Sequence, residues 1–381
     1  MHTARVSSLL IPKRRVVRFF IVAPLMRLLH LVGARPNLIK LAPVYRALAH
    51  VPKIEQRIVH TGQHYDFNMS DIFLRELGIP APDVNLQVGS ATHARQTAEI
   101  MMRFEPVVTE QRPDLVLVYG DVNSTVAAAL VSTKLGIRVA HVEAGLRSFD
   151  RSMPEEINRL LTDQVADLLF TPSEDGNRNL EREGIARERI YLVGNVMIDT
   201  LVRMLPIAQT QLPENVPHRF ALVTLHRPSN VDDLEWLGDM LRSLEQISSD
   251  LAVVFPVHPR TRQKMNEIGL NGSGSILRLL EPLPYLAFLA LQQRATVVIT
   301  DSGGIQEETT YLQVPCLTVR ENTERPVTVE IGTNTLVGRD PERIREEVEN
   351  ILAGRTRRGQ VPPLWDGHAA ERIREIIAKL V

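Results

Sequence analysis

Cysteine is all but missing: the chain of 381 residues has one, Cys316. An intramolecular disulfide is therefore impossible, and a reducing cytoplasm fits the chain. Cys316 lies in the apolar run VPCLTV, the setting of a small buried hydrophobe rather than a nucleophile. Neither sign of charge is in excess, since 44 Lys plus Arg face 45 Asp plus Glu and leave a formal net charge of -1. Without a broad positive field, nucleic acid and anionic membranes are excluded as general partners, and any bound anion needs a local site. Aromatic residues make up only 5%, yet 44% hydrophobic and 23% charged residues exclude collagen-like, low-complexity and disordered classes. The apolar run Phe19 to Met26, interrupted by Pro24 and preceded by Lys13, Arg14, Arg15 and Arg18, is too short to cross a bilayer. It mimics a signal peptide only weakly. Met26 instead opens MRLLHLVGARP, a natural first strand and phosphate loop, so residues 1–25 are expected to be an N-terminal extension without catalytic importance. HExxH, CxxC and Asp-x-Asp motifs are missing too, and no metal is expected.

What is present is a regular alternation of strands and helices, in a chain too long for one typical core. LLHLVG precedes a helix over Leu38 to Ala49, RIVHTG one over Asp71 to Leu77, and DLVLVYGD one over Ser124 to Leu135; RVAHVEAG and DLLFTPS follow. Continuous apolar strands separated by helices predict a parallel sheet covered on both faces. The segment Tyr191 to Thr200 leads into a region with Pro206, Pro213 and Pro217 that reads as a crossover. A second series then begins, with FALVTLH, LAVVFPVH, ILRLL, ATVVITDSGG and CLTVRE. Residues 26–195 and 196–358 are thus expected to be two doubly wound domains. Residues 359–381 should end in an amphipathic helix, AAERIREIIAKLV, that packs back on the first of them. Such sheets bind ligands in a crevice at the carboxyl ends of their strands.

The chemistry is concentrated at those ends. GARPNLIK, after the first strand, offers Gly33 for close backbone approach, a helix start near Pro36, and the charges of Arg35 and Lys40. A helix amino-terminus with added cations suits a diphosphate, although a plain strand-to-helix turn has the same look. ITDSGGIQEE repeats the arrangement: Ser302, Gly303 and Gly304 can present N–H groups, and Glu308 can accept from vicinal hydroxyls such as those of a ribose. Read alone, SGG is equally a helix cap. Carboxylates recur in YGDVNST (Asp121), HVEAGLRS (Glu143) and MPEEINR (Glu155, Glu156), as helix caps or as clustered acids that raise one another's pKa for acid–base work. His60, His141, His226 and His258 also end apolar runs, and His226 with Arg227 heads a strand-to-helix turn where a leaving diphosphate could be neutralised.

In order along the chain, GARPNLIK, HTGQHYD, YGDVNST, HVEAGLRS, MPEEINR, TLHRPSNVD, TDSGGIQEE and TERP resemble the non-hydrolysing UDP-N-acetylglucosamine 2-epimerases from Met26 onward. The resemblance implies a GT-B type α/β fold, two Rossmann-like doubly wound parallel-sheet domains facing a central cleft, and no cofactor; none of the strand-end turns reads GxGxxG. It implies inversion at C2 of UDP-N-acetylglucosamine to give UDP-N-acetylmannosamine, by elimination and re-addition of UDP through a 2-acetamidoglucal, in supply of bacterial surface polysaccharide synthesis. Asp121, Glu143, Glu155 and His226 would be the catalytic members. Arg35, Lys40, Phe288, Ser302, Gly303, Gly304, Glu308 and Arg325 would bind substrate. It further implies a homodimer and a second UDP-N-acetylglucosamine bound as activator near Gln63 and His64. The chain departs from the pattern at Asn37, where many members have Glu, at Pro228 and Ser229, where they have Arg or Glu, and at Asp66 beside the activator loop. A retaining glycosyltransferase of the same fold, or a hydrolysing epimerase releasing N-acetylmannosamine, are the rival enzymes, and a silent nucleotide-sugar sensor is the rival binder.

Overall fold

A computed structural model of the chain describes residues 25–63, 73–269 and 277–381. Nearly all of the N-terminal extension, His64, Asp66 and the start of the helix expected at Asp71 lie outside the described residues.

The first sheet has seven strands, β1 (Met26–Val32), β2 (Ile54–His60), β3 (Val84–Asn85), β4 (Leu115–Tyr119), β5 (Arg138–Val142), β6 (Leu168–Thr171) and β7 (Ile190–Leu192). Their spatial order is β3-β2-β1-β4-β5-β6-β7, and every pairing is parallel. The second sheet has six, β8 (Phe220–Thr224), β9 (Ala252–Pro256), β10 (Arg278–Leu280), β11 (Val297–Thr300), β12 (Cys316–Thr318) and β13 (Asn334–Leu336), in the order β10-β9-β8-β11-β12-β13 and again all parallel. This is the GT-B arrangement of two Rossmann-like domains. LVLVY in β4 is buried at every position because helices cover both faces. IEQRIVH in β2 stays half-exposed over its first residues because β3 reaches only Val59 and His60.

In each sheet the strand order reverses between the first and fourth strands in sequence, β1 beside β4 and β8 beside β11. The loops leaving those strands diverge and open a crevice. Gly33, Gly120, His226 and Asp301 all lie in these four loops.

Between the sheets the helix Val196–Ala208 is shared. Its Val196, Leu201 and Met204 join one hydrophobic core with Leu38 and Leu41 below the first sheet and with Leu286 and Leu289 of the helix Tyr285–Arg294. Pro206 does not end this helix: it sits on the exposed side, while the buried Met204 and Ala208 keep the helix packed through to Ala208. Asn195 caps it through Met197 N–H at 2.9 Å, and Thr200 donates to Ile39 O at 2.7 Å. The last helix, Ala369–Ala378, lies against the helix Arg35–Leu48 through Ala369, Ile373 and Ile377. Asp199 accepts from Ala369 N and Ala370 N at 3.1 and 2.7 Å, and burial pushes its carboxyl up to about 6. Trp365 donates to Pro172 O at 2.9 Å, so the C-terminal segment straps the first domain. Where it crosses, Gly194 has φ +88° and a Cβ there would lie 2.1 Å from Leu364 O.

Gly194→Ala therefore combines a left-handed backbone with a backbone clash, and should lower unfolding free energy by about 3 kcal/mol. Urea unfolding followed by tryptophan fluorescence measures this, and a loss under about 1 kcal/mol would contradict the crossing.

Candidate active site

The first glycine turn is closed by its own side chains. Asn37 Oδ1 accepts from Gly33 N at 3.1 Å and from Ala34 N at 3.0 Å, while its Nδ2 donates to Tyr119 O at 2.8 Å. Asn37 thus pins the β1 and β4 loops together and takes the N–H groups of Gly33 and Ala34 at the turn where the sequence reads a diphosphate clamp. A Cβ at Gly33 would meet Ser124 Oγ at 2.1 Å, so the residue serves close loop packing. The capacity for an anion here falls to the side chains of Arg35, exposed at the helix start, and Lys40, buried one turn later.

Lys40 bonds to Glu143 Oε2, and Arg325 Nη2 from the second domain reaches Glu143 Oε1 at 3.2 Å. Glu143 directly follows β5 and holds φ +76°, a left-handed conformation that costs a non-glycine residue about 1–2 kcal/mol. Gly120 also has a positive φ, and a Cβ on it would lie 2.7 Å from Lys40 Nζ and 3.1 Å from Glu143 Oε2, so glycine there leaves room for this ion pair. Next to it, Asp121 is ion-paired to the buried Arg159, which also holds Glu156 at 2.7 Å. The two acids of MPEEINR then separate in role. Glu156 accepts from Ser148 N and Phe149 N at 2.9 and 3.0 Å and stabilises a turn. Glu155 stays half-buried and acts by charge on Arg227 across the cleft.

On the second domain, His226 Nδ1 lies 2.9 Å from Asp301 Oδ1. Asp301 Oδ2 accepts from the N–H groups of His226 and Arg227, each at 2.9 Å, and from Asn230 Nδ2 at 3.2 Å. Burial works to raise this carboxyl, but the His226 ring and the two backbone donors hold it below its usual range. With Nδ1 committed, the His226 side chain, 40% exposed, is left with Nε2 for the cleft. The sequence signal for Asp301 is an acid directly after the apolar strand β11, ahead of SGG.

Ser302 is the N-cap of the helix Gly303–Leu312, and the N–H groups of Gly303 and Gly304 have no acceptor among the described residues. A Cβ at Gly303 would lie 2.6 Å from Arg325 Nη1, so the glycine lets the helix start approach that guanidinium. Arg325 is also ion-paired to Glu307 at 3.0 Å and to Glu324, which in turn holds Arg320 at 2.7 Å. Glu307 was not singled out by the sequence; burial pushes it up to about 7 against the pull of Arg325, and Asn195 Nδ2 donates to it at 2.9 Å. Glu308, also fully buried and pushed up to about 7 by burial, accepts from Tyr285 OH at 2.9 Å. Beside it a mostly apolar cavity of 360 Å³ is lined by Arg35, Pro36 and Ile39 of the first domain and Tyr285 and Phe288 of the second. Gln63 is buried and accepts from Ser124 Oγ at 2.8 Å, part of the packing under Gly33 rather than a side chain reaching outward.

A family model for UDP-N-acetylglucosamine 2-epimerase matches residues 46–378. The UDP-N-acetylglucosamine 2-epimerase of Methanocaldococcus jannaschii is 44% identical over 366 residues, covering 92% of this chain and 99% of its own. Its crystal structure, in complex with UDP-GlcNAc and UDP, has a TM-score of 0.86 to this chain and covers 93% of it and 100% of the other. The UDP-GlcNAc 2-epimerase of Neisseria meningitidis, solved bound to UDP-GlcNAc, is 30% identical with a TM-score of 0.85, over 93% of this chain and 100% of that one. The UDP-2,3-diacetamido-2,3-dideoxy-D-glucuronate 2-epimerase of Pseudomonas aeruginosa is 42% identical over 358 residues, 93% of this chain and 100% of its own. From the match over most of its length and the full-length similarity to these proteins, the chain belongs to the UDP-N-acetylglucosamine 2-epimerase family.

Proposed function

We propose that this chain interconverts UDP-N-acetylglucosamine and UDP-N-acetylmannosamine without hydrolysis, by eliminating UDP and adding it back. The observation that carries this reading is the cluster of Asp121 and Glu143 at adjacent strand ends, facing cations and the open helix start of Gly303 and Gly304 across the cleft.

The sugar C2 proton is not next to a carbonyl, so no enolate can form on its removal. In the proposed step the C1–O bond breaks, UDP leaves with its electron pair, a carboxylate takes the C2 proton, and a C1–C2 double bond forms. Protonation of C2 on the opposite face and return of UDP to C1 give the other epimer. Asp121, Glu143 and Glu155 share the proton transfers. Arg35 and the Nε2 of His226 stabilise the departing diphosphate, together with the Gly303 and Gly304 N–H groups. Lys40 and Arg325 hold Glu143 between them across the cleft. A diphosphate competes with Glu143 for both cations, so substrate binding itself frees the carboxylate for proton transfer. Phe288 and the apolar cavity suit a nucleobase, and the Glu308 carboxyl suits ribose hydroxyls. Family membership supports a homodimer in a reducing cytoplasm that feeds surface polysaccharide synthesis. The Pseudomonas relative favours one second reading: the same C2 inversion on a UDP-sugar with an acetamido group at C3 and a carboxylate at C6.

Incubated alone with UDP-N-acetylglucosamine in deuterium oxide, the protein should place deuterium at C2 and yield the manno epimer by proton NMR. Free sugar would point to a hydrolase, dependence on an acceptor to a glycosyltransferase, and turnover of only the diacetamido uronate to the second reading. Glu143→Gln should reduce C2 exchange by at least about 10²-fold while UDP affinity by calorimetry stays within a few-fold. Undiminished exchange in that variant removes Glu143 from the chemistry.

Glu308 also makes a prediction for stability. Its folded-state pKa of about 7 stands above the ordinary 4.5, so the native chain keeps a proton that the unfolded chain releases. Its contribution is complete below pH 4.5 and falls away as pH rises toward 7, by a total on the order of 3 kcal/mol. Glu308→Gln lacks that slope. From about pH 5 to about pH 8 the Tm of the variant should rise relative to the unsubstituted chain in scanning calorimetry, and a pH-independent difference would contradict the shift.

A further inference from the structure

Behind the two acid-bearing loops lies a charged pair that never reaches the cleft. His141 and Asp163 are both fully buried, with His141 Nδ1 2.6 Å from Asp163 Oδ1 and His141 Nε2 2.8 Å from Gly120 O. A carboxylate and a carbonyl both accept, so both ring nitrogens donate. Asp163 Oδ2 accepts from Gly145 N at 3.1 Å and pairs with Arg147 at 2.7 Å. Arg147 in turn makes a two-pronged contact with Glu183 at 2.8 and 2.6 Å. One carboxylate therefore grips the chain on both sides of Glu143, at positions 141 and 145, while the imidazole reaches the peptide that precedes Asp121. Glu143 lies between those grips at φ +76°, a conformation that persists only where its surroundings over-determine it. Burial alone would raise the Asp163 carboxyl; His141 and Arg147 hold it below the usual range, and so the grip stays anionic.

We infer that Asp163 and His141 are positioning residues, which hold the left-handed Glu143 backbone and the Gly120–Asp121 peptide in one fixed relation so that both acids meet the same sugar carbon. The inference rests on the reading of Asp121 and Glu143 as the proton-transfer groups. Neither residue touches substrate, so removing either acts through geometry. A misplacement of order 1 Å at the reacting groups lowers rate by about 10²-fold without removing a binding contact.

The test uses the full chain with Asp163→Asn, which keeps the shape and loses the anion, and His141→Gln, which loses the double donor. Both variants should bind UDP within about threefold of the unsubstituted chain, keep KM within a few-fold, and lose about 10²-fold in kcat and in C2 deuterium exchange. A kcat within threefold in either variant that retains UDP binding overturns the inference, as does a nitrogen-15 NMR spectrum showing the His141 ring with only one protonated nitrogen. If the unsubstituted chain turns over no UDP-sugar, the functional reading falls, and the positioning role is read from crystal structures. Glu143 leaving the left-handed region in Asp163→Asn supports it, and Glu143 and Gly120 unmoved refute it. If Asp163→Asn does not fold, the same readouts on His141→Gln decide.

Discussion

Glu143 holds one cation from each domain, and most of the cleft is arranged around that fact. Lys40 comes from the helix after β1, Arg325 from the segment after β12, and the carboxylate between them is almost wholly buried. Charges so placed cost several kcal/mol each in lost hydration unless paired on every side. The pairing here continues outward, from Arg325 to Glu307 and Glu324 and from Glu324 to Arg320. Glu307 is where the compensation runs short: it faces Glu143 as well as Arg325, has an oxygen without a hydrogen-bond partner, and is pushed up to about 7. A network balanced this closely favours one mutual placement of the domains, which an apolar interface of the same size would not specify as sharply.

The same placement requires backbone that ordinary residues avoid. Gly120 holds φ +65° and leaves the room that Lys40 Nζ occupies, and Gly303, without a positive φ, leaves the room that Arg325 Nη1 occupies. Glu143 cannot be glycine, since its side chain is the bridge, and it adopts the left-handed conformation nonetheless. Strain of this kind is stable only when neighbouring contacts offset it, and here they are the Asp163 and His141 bonds on either side. Stability and geometry are thus coupled through the helix Pro154–Val165, which carries Glu155 toward the cleft, Glu156 and Arg159 beneath it, and Asp163 into the interior.

How much of this the sequence discloses follows from what each feature depends on. Parallel α/β sheets set all their strand-end loops along one edge, so GARPNLIK, YGDVNST, HVEAGLRS and TDSGGIQEE can be gathered into one crevice from strand order alone. Pairings within the crevice are not legible that way. Asn37 stands out in the sequence as an acid replaced near the sugar, and only the fold shows it binding its own loop's N–H groups. Glu307 and Glu308 are neighbours in sequence, yet adjacent helical positions point apart, and one meets Arg325 and Asn195 while the other meets Tyr285. Asp301 and Asp163 escape for a different reason: each follows or lies within an ordinary apolar pattern, and its partners are brought to it from distant segments.

On the proposed reaction, the residues that close the cleft and those that run the chemistry are the same set, and this limits how the two can be separated. A ligand shifts a domain equilibrium only by its differential affinity for the closed form. Glu143 supplies an anionic bridge between Lys40 of the first domain and Arg325 of the second. A diphosphate entering between Arg35, Lys40, His226 and the Gly303 helix start takes over as the anion, with two negative groups in place of one. The bridge is then kept while its former holder is released beside the sugar. When UDP departs from C1 its charge rises at the very place where the cations of both domains converge, so the contacts that stabilise leaving also retain the nucleotide for re-addition. On the proposed mechanism, reversible elimination without loss of the intermediate follows from that retention, which a cleft that only binds a nucleotide sugar does not need.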